Sequence, residues 1–512
     1  MKKVYIIICI AFAWLCSSCG NFLTEYSQDQ AYVRTYTDLD ELLAGSVYMK
    51  CYPLSYTYGY SIEQTFYPYV HFMADETQVC LTGSSGVGTG SEYLFGYYTW
   101  QQDVEKDHEG TDVWPEDQDW RNLYNYINVA NLILSLIDEQ EAITEADVQN
   151  VQRIKGEAHF LRGAYYFILA NLYGEPYSPV TASTDLAVPL KLSEFIEDRI
   201  YKRATVAEVY RQVLADLQAA EGYLKGIPRK SVFRADHAAV CLLLSRVYLY
   251  MQDYEECVKW AKTCLEEQST LVNLNTFTGT DFLTKDSPEL IFSMGSNHLP
   301  VNLVSSSSYS PAGEFMISKD LYSCYRKEDL RTQFFIKSDG GFVTYEKIHY
   351  AYGTTLEVSD NFAFRTAEAY LNLAEAAACL GGSYTTDALE AYNTLRKNRI
   401  AGYQEESGLS GKALVDSVRM ERRRELCLEG HRWFDLRRYM VNEAYPEEIT
   451  LTNEYAVWEY NYTSYEYVMT LHRRYTLPPH DEAWTLPIPA EELDANYGMP
   501  DNPRYPREYV SL

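Results

Sequence analysis

Apolar residues recur every three or four positions in several separated stretches of this chain, the spacing that places them on one face of an α-helix. Trp120, Leu123, Ile127, Ala130, Leu134 and Ile137 follow that step, and so do Ile154, Ala158, Leu161, Tyr165, Ile168 and Leu172. The same reading predicts helices over 206–224, 235–251, 254–265, 367–380, 388–399 and 414–440, the last broken at Gly430. Between them lie long polar stretches, 50–119, 270–350 and 441–512, rich in Tyr, Gly, Ser and Pro. Connections of that length in a compact protein are functional or disordered, and the aromatic content of these argues for order.

One helix pair fits a repeat template. Leu244, Ser245 and Tyr248 precede Cys257 by thirteen, twelve and nine positions, and Ala261 and Cys264 follow it, as in a tetratricopeptide repeat. Residues 367–397 repeat the design loosely, with Gly381 and Gly382 in a longer turn. A helix pair cannot bury both faces alone, so such pairs stack. The expected fold class is mainly α, about four tetratricopeptide-like pairs forming a scaffold beside a loop-rich irregular part.

The first residues carry a different signal. Lys2 and Lys3 precede an apolar stretch from Val4 to Leu15, too short to span a bilayer but suited to an export signal. Ser17 and Ser18 before Cys19 resemble a bacterial lipobox, which would make Cys19 the lipidated N-terminus, although Cys16 occupies a place that the pattern gives to an apolar residue. An ordinary signal peptide cut near Ser18 is the alternative. Single cysteines on apolar helical stripes read as small core residues rather than disulfide partners.

Composition narrows the function. The chain has 512 residues and a net charge of -28, a surface that repels nucleic-acid phosphates, so nucleic acid is excluded as a partner. Forty-seven tyrosines against 19 phenylalanines favour half-wet aromatic surfaces, since a buried phenol needs a hydrogen-bond partner. Catalytic and cofactor signatures are missing: no H-E-x-x-H, no cysteine–histidine zinc spacing, no phosphate loop after Gly83, Gly86, Gly88 and Gly90, and no EF-hand spacing in 103–119. No metal, cofactor or catalytic residue is expected. Acidic pairs such as Asp75 with Glu76 read as solvated carboxylates. The run from Glu421 to Arg438 mixes both charge signs at spacings of three and four through Leu426, Leu428, Trp433, Phe434 and Leu436. That pattern predicts a structural salt-bridge lattice involving Glu421, Arg422, Glu425, Glu429, Arg432 and Asp435.

The segment E-R-R-R-E-L-C-L-E-G-H-R-W-F-D-L-R-R-Y, residues 421–439, resembles the C-terminal signature of the SusD/RagB family of outer-membrane nutrient-binding lipoproteins. So do G-E-A-H-F-L-R-G-A-Y-Y-F at 156–167, R-T-A-E-A-Y-L-N-L-A-E-A at 365–376, Asn393–Arg396, and Leu486-Pro487-Ile488-Pro489. The resemblance implies a lipid-anchored outer-membrane protein, surface-exposed in that family's manner, with membrane contact only through the anchor. It would capture an oligosaccharide or polysaccharide without catalysis and deliver it to a SusC-like TonB-dependent transporter. Its starch-binding members grip sugar with an aromatic arc, and Asp75, Tyr97, Trp100 and Asp103 resemble members of that arc, with Tyr309 and Phe342 added by loop position. The implied layout is a signal peptide at 1–18, an N-terminal region at 19–225, a helical-repeat region at 226–289 and a C-terminal region at 290–512, within one globular unit. Other readings stay open: a RagB-like peptide-capturing protein, a repeat adaptor without a small ligand, or a glycoside hydrolase.

Overall fold

Residues 33–49, 69–81, 92–113, 118–195, 197–295, 299, 303, 315–349 and 358–512 are described by the computed structural model. Cys19, Tyr309, the glycine loop at 83–90 and the tyrosines between 52 and 67 lie outside the described residues.

The predicted periodicity becomes a chain of stacked helices. These are α1 (Tyr36–Ser46), α2 (Gln118–Leu136), α3 (Glu145–Tyr173), α4 (Val206–Leu224), α5 (His237–Met251), α6 (Tyr254–Glu267), α7 (Thr366–Leu380), α8 (Thr385–Lys397), α9 (Gly411–Glu425) and α10 (Arg432–Met440). Each from α2 to α7 packs on the next, and α9 lies against α7. Local chemistry sets several starts. The side chains of Thr144 and Thr205 accept from the backbone N–H three residues on, while Asp147 and Glu208 reach back to the cap N–H. Such reciprocal caps satisfy helix N–H groups that have no partner of their own.

Small residues let the helices approach. A methyl group at Gly156 of α3 would lie 2.6 Å from Cγ of Leu224 on α4, so this crossing has no room for a larger side chain. On α6 the template residues Cys257, Ala261 and Cys264 are all buried. The helix predicted over 414–440 is two helices. It stops at Glu425, five residues before Gly430, because Leu428 as well as Gly430 takes a left-handed conformation, φ 60° and 75°. The helix α1 carried too little periodic pattern to be expected, burying only Leu39 and Leu43.

Among the described residues, nine short or hairpin strands occupy the stretches between helices: β1 (Thr77–Val79), β2 (Leu290–Ser293), β3 (Phe315–Ile317), β4 (Ile336–Asp339), β5 (Phe342–Tyr345), β6 (Ala363–Arg365), β7 (Leu451–Asn461), β8 (Glu466–Leu477) and β9 (Tyr509–Ser511). All pairings are antiparallel: β1 with β3, β2 with β6, β4 with β5, and β7–β8–β9 as a three-stranded sheet. The hairpin β7–β8 is bulged between Val457 and Trp458. No described helix is long and apolar enough to cross a membrane.

Candidate functional site

A cleft of about 490 Å³ opens where β1, the turn at Ser318–Asp320 and the start of β7 meet. Backbone pairing brings the first two together, since Ser318 donates its N–H to the carbonyl of Glu76 at 2.8 Å, beside the β1–β3 ladder. Tyr98 fixes the third: its hydroxyl accepts from Val79 N–H and donates to the Glu454 carbonyl, both at 3.2 Å, and Asn453 Nδ2 donates to the Tyr98 carbonyl at 2.8 Å. Polar side chains line the opening, among them Asp75, Gln78, Asp320, Thr450, Thr452 and Glu454. Thr450 and Thr452 are exposed there.

Charge at the cleft is tightly managed. Burial would raise the carboxyl of Asp75, but Arg432 and Arg423 outweigh it and hold it down at about 2. Arg432 donates Nε and Nη2 to the two carboxylate oxygens at 2.8 Å each, and Arg423 Nη2 lies 2.9 Å from Oδ2 and 2.7 Å from Asp320. The neighbouring Glu76 is buried, with Oε1 accepting the Leu428 N–H at 2.9 Å, and burial pushes its carboxyl up to about 7. Asp75 therefore stays ionised while Glu76 changes charge near neutrality, two adjacent carboxylates separated by surroundings alone.

The residues expected to contact ligand fall in different places. Asp75 lines the cleft with both oxygens already bonded. Phe342, opening β5, is partly buried and packs against Cys80 and Met316. Tyr97 and Trp100 are corrected from ligand contacts to packing residues, because neither ring has an accessible face, being 2% and 0% exposed. Tyr97 stacks on Tyr69 with ring centroids 4.1 Å apart, and Trp100 donates its indole N–H to the Met73 carbonyl at 2.9 Å from a left-handed backbone, φ 55°. Their sequence lies next to the cleft, but their bulk supports it from within. Asp103 is exposed, pairs with Lys106 at 3.1 Å, and lines, together with an edge of Tyr97, a separate cleft of about 480 Å³ beside Leu486–Pro489 and Arg504. The sequence reading missed the β7 residues. The alternation of polar Thr452 and Glu454 with apolar Leu451 and Tyr455 was the available signal, hidden among many tyrosines.

Beneath the cleft the charged run is buried. Glu425 accepts from Arg399 at 2.9 Å, from Arg365 at 3.0 Å and from Arg331 at 3.1 Å, all four groups fully inaccessible. Glu289 binds the same Arg365 and Arg399 at 2.8 and 2.6 Å, and Glu429 binds Arg365 and Lys347. A second group joins Arg422 to Asp435 at 2.8 Å and Arg438 to both Asp435 and Glu375. Burial is overcome at Glu421 by Arg331, Arg424 and Arg396, which hold its carboxyl at about 2. The pairs around Glu425 and Glu289 have no access to solvent, so they cannot meet a ligand.

Among the described residues no cluster of His, Cys, Asp or Glu could hold a metal ion. The geometry is that of a helical scaffold presenting a polar, open cleft, a binding architecture. Comparison with known proteins gives its family. A model described as SusD family matches residues 310–505, and a SusD-like model described as starch-binding associating with outer membrane matches residues 86–249. The chain belongs to the SusD-like family.

Solved structures share the fold. A SusD-like carbohydrate binding protein from Bacteroides vulgatus superposes with a TM-score of 0.67 at 20% identity, covering 91% of this chain and 98% of that one. A SusD superfamily protein from Bacteroides thetaiotaomicron gives 0.67 at 22% identity, over 92% and 100%. Surface glycan-binding protein A from Bacteroides fluxus gives 0.63 at 18% identity, over 93% and 100%. A SusD-like protein of Formosa agariphila is 28% identical over 138 residues, 27% of this chain and 24% of that protein, so the match spans about a quarter of the relative's length.

Proposed function

We propose that this protein is a non-catalytic, lipid-anchored outer-membrane protein, exposed at the cell surface, that captures a glycan and passes it to a SusC-like TonB-dependent transporter. The observation that carries the reading is a cleft lined by exposed hydroxyl, amide and carboxylate groups on a chain of the SusD-like family. A pyranose offers hydroxyls round its edge, which such a lining can bond, and C–H groups on its faces, which rings can cover. Tyr462 and Tyr465, 82% and 77% exposed at the β7–β8 turn, supply ring faces along the same hairpin. A ring covering about 100 Å² of apolar surface contributes roughly 2 kcal/mol before ordering costs, so a few contacts give modest affinity. That suits a protein that must release its cargo. Phe342 would border the bound sugar, and Asp75 would orient the cleft through Arg432. Lipidation at Cys19 would supply the anchor.

Calorimetric titration of the full chain in detergent micelles against neutral oligosaccharides, acidic oligosaccharides and mixed oligopeptides tests the reading. Saturable heat from an oligosaccharide, with no reducing ends released, is expected. Heat from oligopeptides alone replaces glycan with peptide capture, and release of reducing ends overturns the non-catalytic role.

A further inference from the structure

A cavity of about 270 Å³ opens between the turn at 324–329, α8 and α9. Three guanidinium groups line it. Arg424 donates to Glu421 at 2.7 Å and to the Cys324 carbonyl at 3.3 Å. Arg396 is 5% exposed, bonds the Tyr392 hydroxyl through Nη1, and leaves its Nε without a hydrogen-bond partner. Arg326 is exposed and makes no hydrogen bond or ion pair through its side chain to any described residue.

The acids that line this cavity, Asp329 and Asp416, are each held by a cation outside it. Asp329 is bound side-on by Arg331 at 2.8 and 2.9 Å, and Asp416 is held by Lys412 at 2.7 Å. Glu421 is taken by Arg331 and Arg424 at 2.7 Å each, and lies 3.6 Å from Arg396 Nε, too far for a hydrogen bond. Glu406 stands 3.9 Å from Arg396. Arg326 is thus a surplus charge at the mouth of a pocket that also holds a buried, incompletely bonded guanidinium. Charged donors with unused capacity favour an anionic acceptor, and the guanidinium fork matches carboxylate and tetrahedral oxyanions.

The pocket is the neighbour of the cleft. Both flank the short helix Lys319–Ser323: Asp320 lines the cleft and Cys324, the C-cap, lines the pocket. Adjacent residues of α9 serve the two sides, Arg423 reaching Asp75 and Asp320 while Arg424 reaches the pocket. A polymer held in the cleft has this pocket beside it. We propose that the pocket formed by Arg326, Arg396 and Arg424 binds an anionic substituent, a carboxylate or sulfate ester, carried by the captured glycan. The inference rests on the capture reading for the source of that group. A chain of net charge -28 repels polyanions at a distance. Recognition is left to one shielded contact at short range.

Arg326 is exposed and free of contacts, so Arg326→Ala and Arg326→Glu test the pocket without disturbing the fold. The full chain is titrated with glucuronate, inorganic sulfate, glucose, and neutral and uronate-bearing oligosaccharides of the same length. The uronate-bearing oligosaccharide is expected to bind at least tenfold more tightly than the neutral one. That advantage falls about threefold in Arg326→Ala and vanishes in Arg326→Glu, while neutral binding is unchanged. An acidic advantage that survives Arg326→Glu overturns the pocket and leaves capture standing. Sulfate ion binding as tightly as the acidic oligosaccharide makes this a free-anion site and overturns the link to glycan. Glucuronate held through Arg326 with every oligosaccharide silent supports the pocket and removes the capture reading instead.

Discussion

Arg432 grips the carboxylate of Asp75 through two hydrogen bonds of 2.8 Å, Nε to Oδ1 and Nη2 to Oδ2, across 357 positions of sequence. The first helix turn after the break in the C-terminal charged run is thereby bound to the loop that opens β1. Because Asp75 is only partly buried, the pair ties two distant segments while leaving the cleft wall accessible.

Asp75→Asn should therefore cost about 2 kcal/mol at pH 7, the scale of a carboxyl lowered from its ordinary value to about 2. The native carboxyl is lowered, so its contribution is present above pH 4 and is lost as pH falls through 2. Urea midpoints at pH 7 and pH 2.5 check this: the gap between wild type and variant should narrow in acid, and a constant gap would refute the assignment.

Glu76 has the opposite sign. Its native carboxyl is raised to about 7, so folding favours the protonated form, and stability falls as pH rises from about 4.5 through 7. Glu76→Gln keeps an acceptor for the Leu428 N–H and removes the ionisation. The variant should be more stable than wild type at pH 8, by roughly 3 kcal/mol, and similar at pH 4. Denaturant titrations at the two values decide it, and equal stability at pH 8 would place no ionisation penalty on Glu76.

Trp100 is a packing residue here, so Trp100→Ala should destabilise by about 3–5 kcal/mol, as expected for an aromatic cavity in a core. Trp100→Phe loses mainly the indole bond to Met73 and should cost less, while its glycan affinity stays within twofold of wild type. A folded Trp100→Phe protein with tenfold weaker glycan binding would return the ring to the ligand.

Thr452 faces the cleft from an exposed position of β7. Thr452→Arg should leave the melting temperature within the small range of surface substitutions, about 0.5 kcal/mol in stability, and weaken oligosaccharide binding tenfold or more by filling the opening. Unchanged affinity would move the binding surface elsewhere.

The scaffold was legible because its signal is local. A helix such as α4 announces itself by the step of Val209, Val213, Leu217, Ala220 and Leu224 and by Thr205 with Glu208 at its start, so 206–224 could be read to the residue. The charge lattice was half visible. Alternating signs mark Glu421–Arg438, but Glu289, Arg331, Arg365 and Arg399 reach it from distant turns and strands, where nothing in their neighbours names a partner. The cleft was least legible, since an aromatic in a polar loop reads the same whether its ring faces a ligand or, like that of Trp100, the core. The β7–β8 hairpin escaped for a related reason: Trp458, Tyr460, Tyr467 and Val468 in its outer half are not buried and read like the aromatics of a polar loop.

The position of Glu425 has a kinetic consequence. Arg365 and Arg399 are buried around its carboxylate together with Glu289, and a buried charge left without its partner is strongly destabilising. The middle of the molecule therefore cannot close before α9 is present, and a chain ending ahead of residue 421 should remain open and protease-sensitive however complete its earlier helices are. Assembly of the interior is a late event dominated by contacts distant in sequence, which slows folding. A stalled or shortened copy would accordingly be left as substrate for degradation, with no half-built receptor persisting beside the finished one.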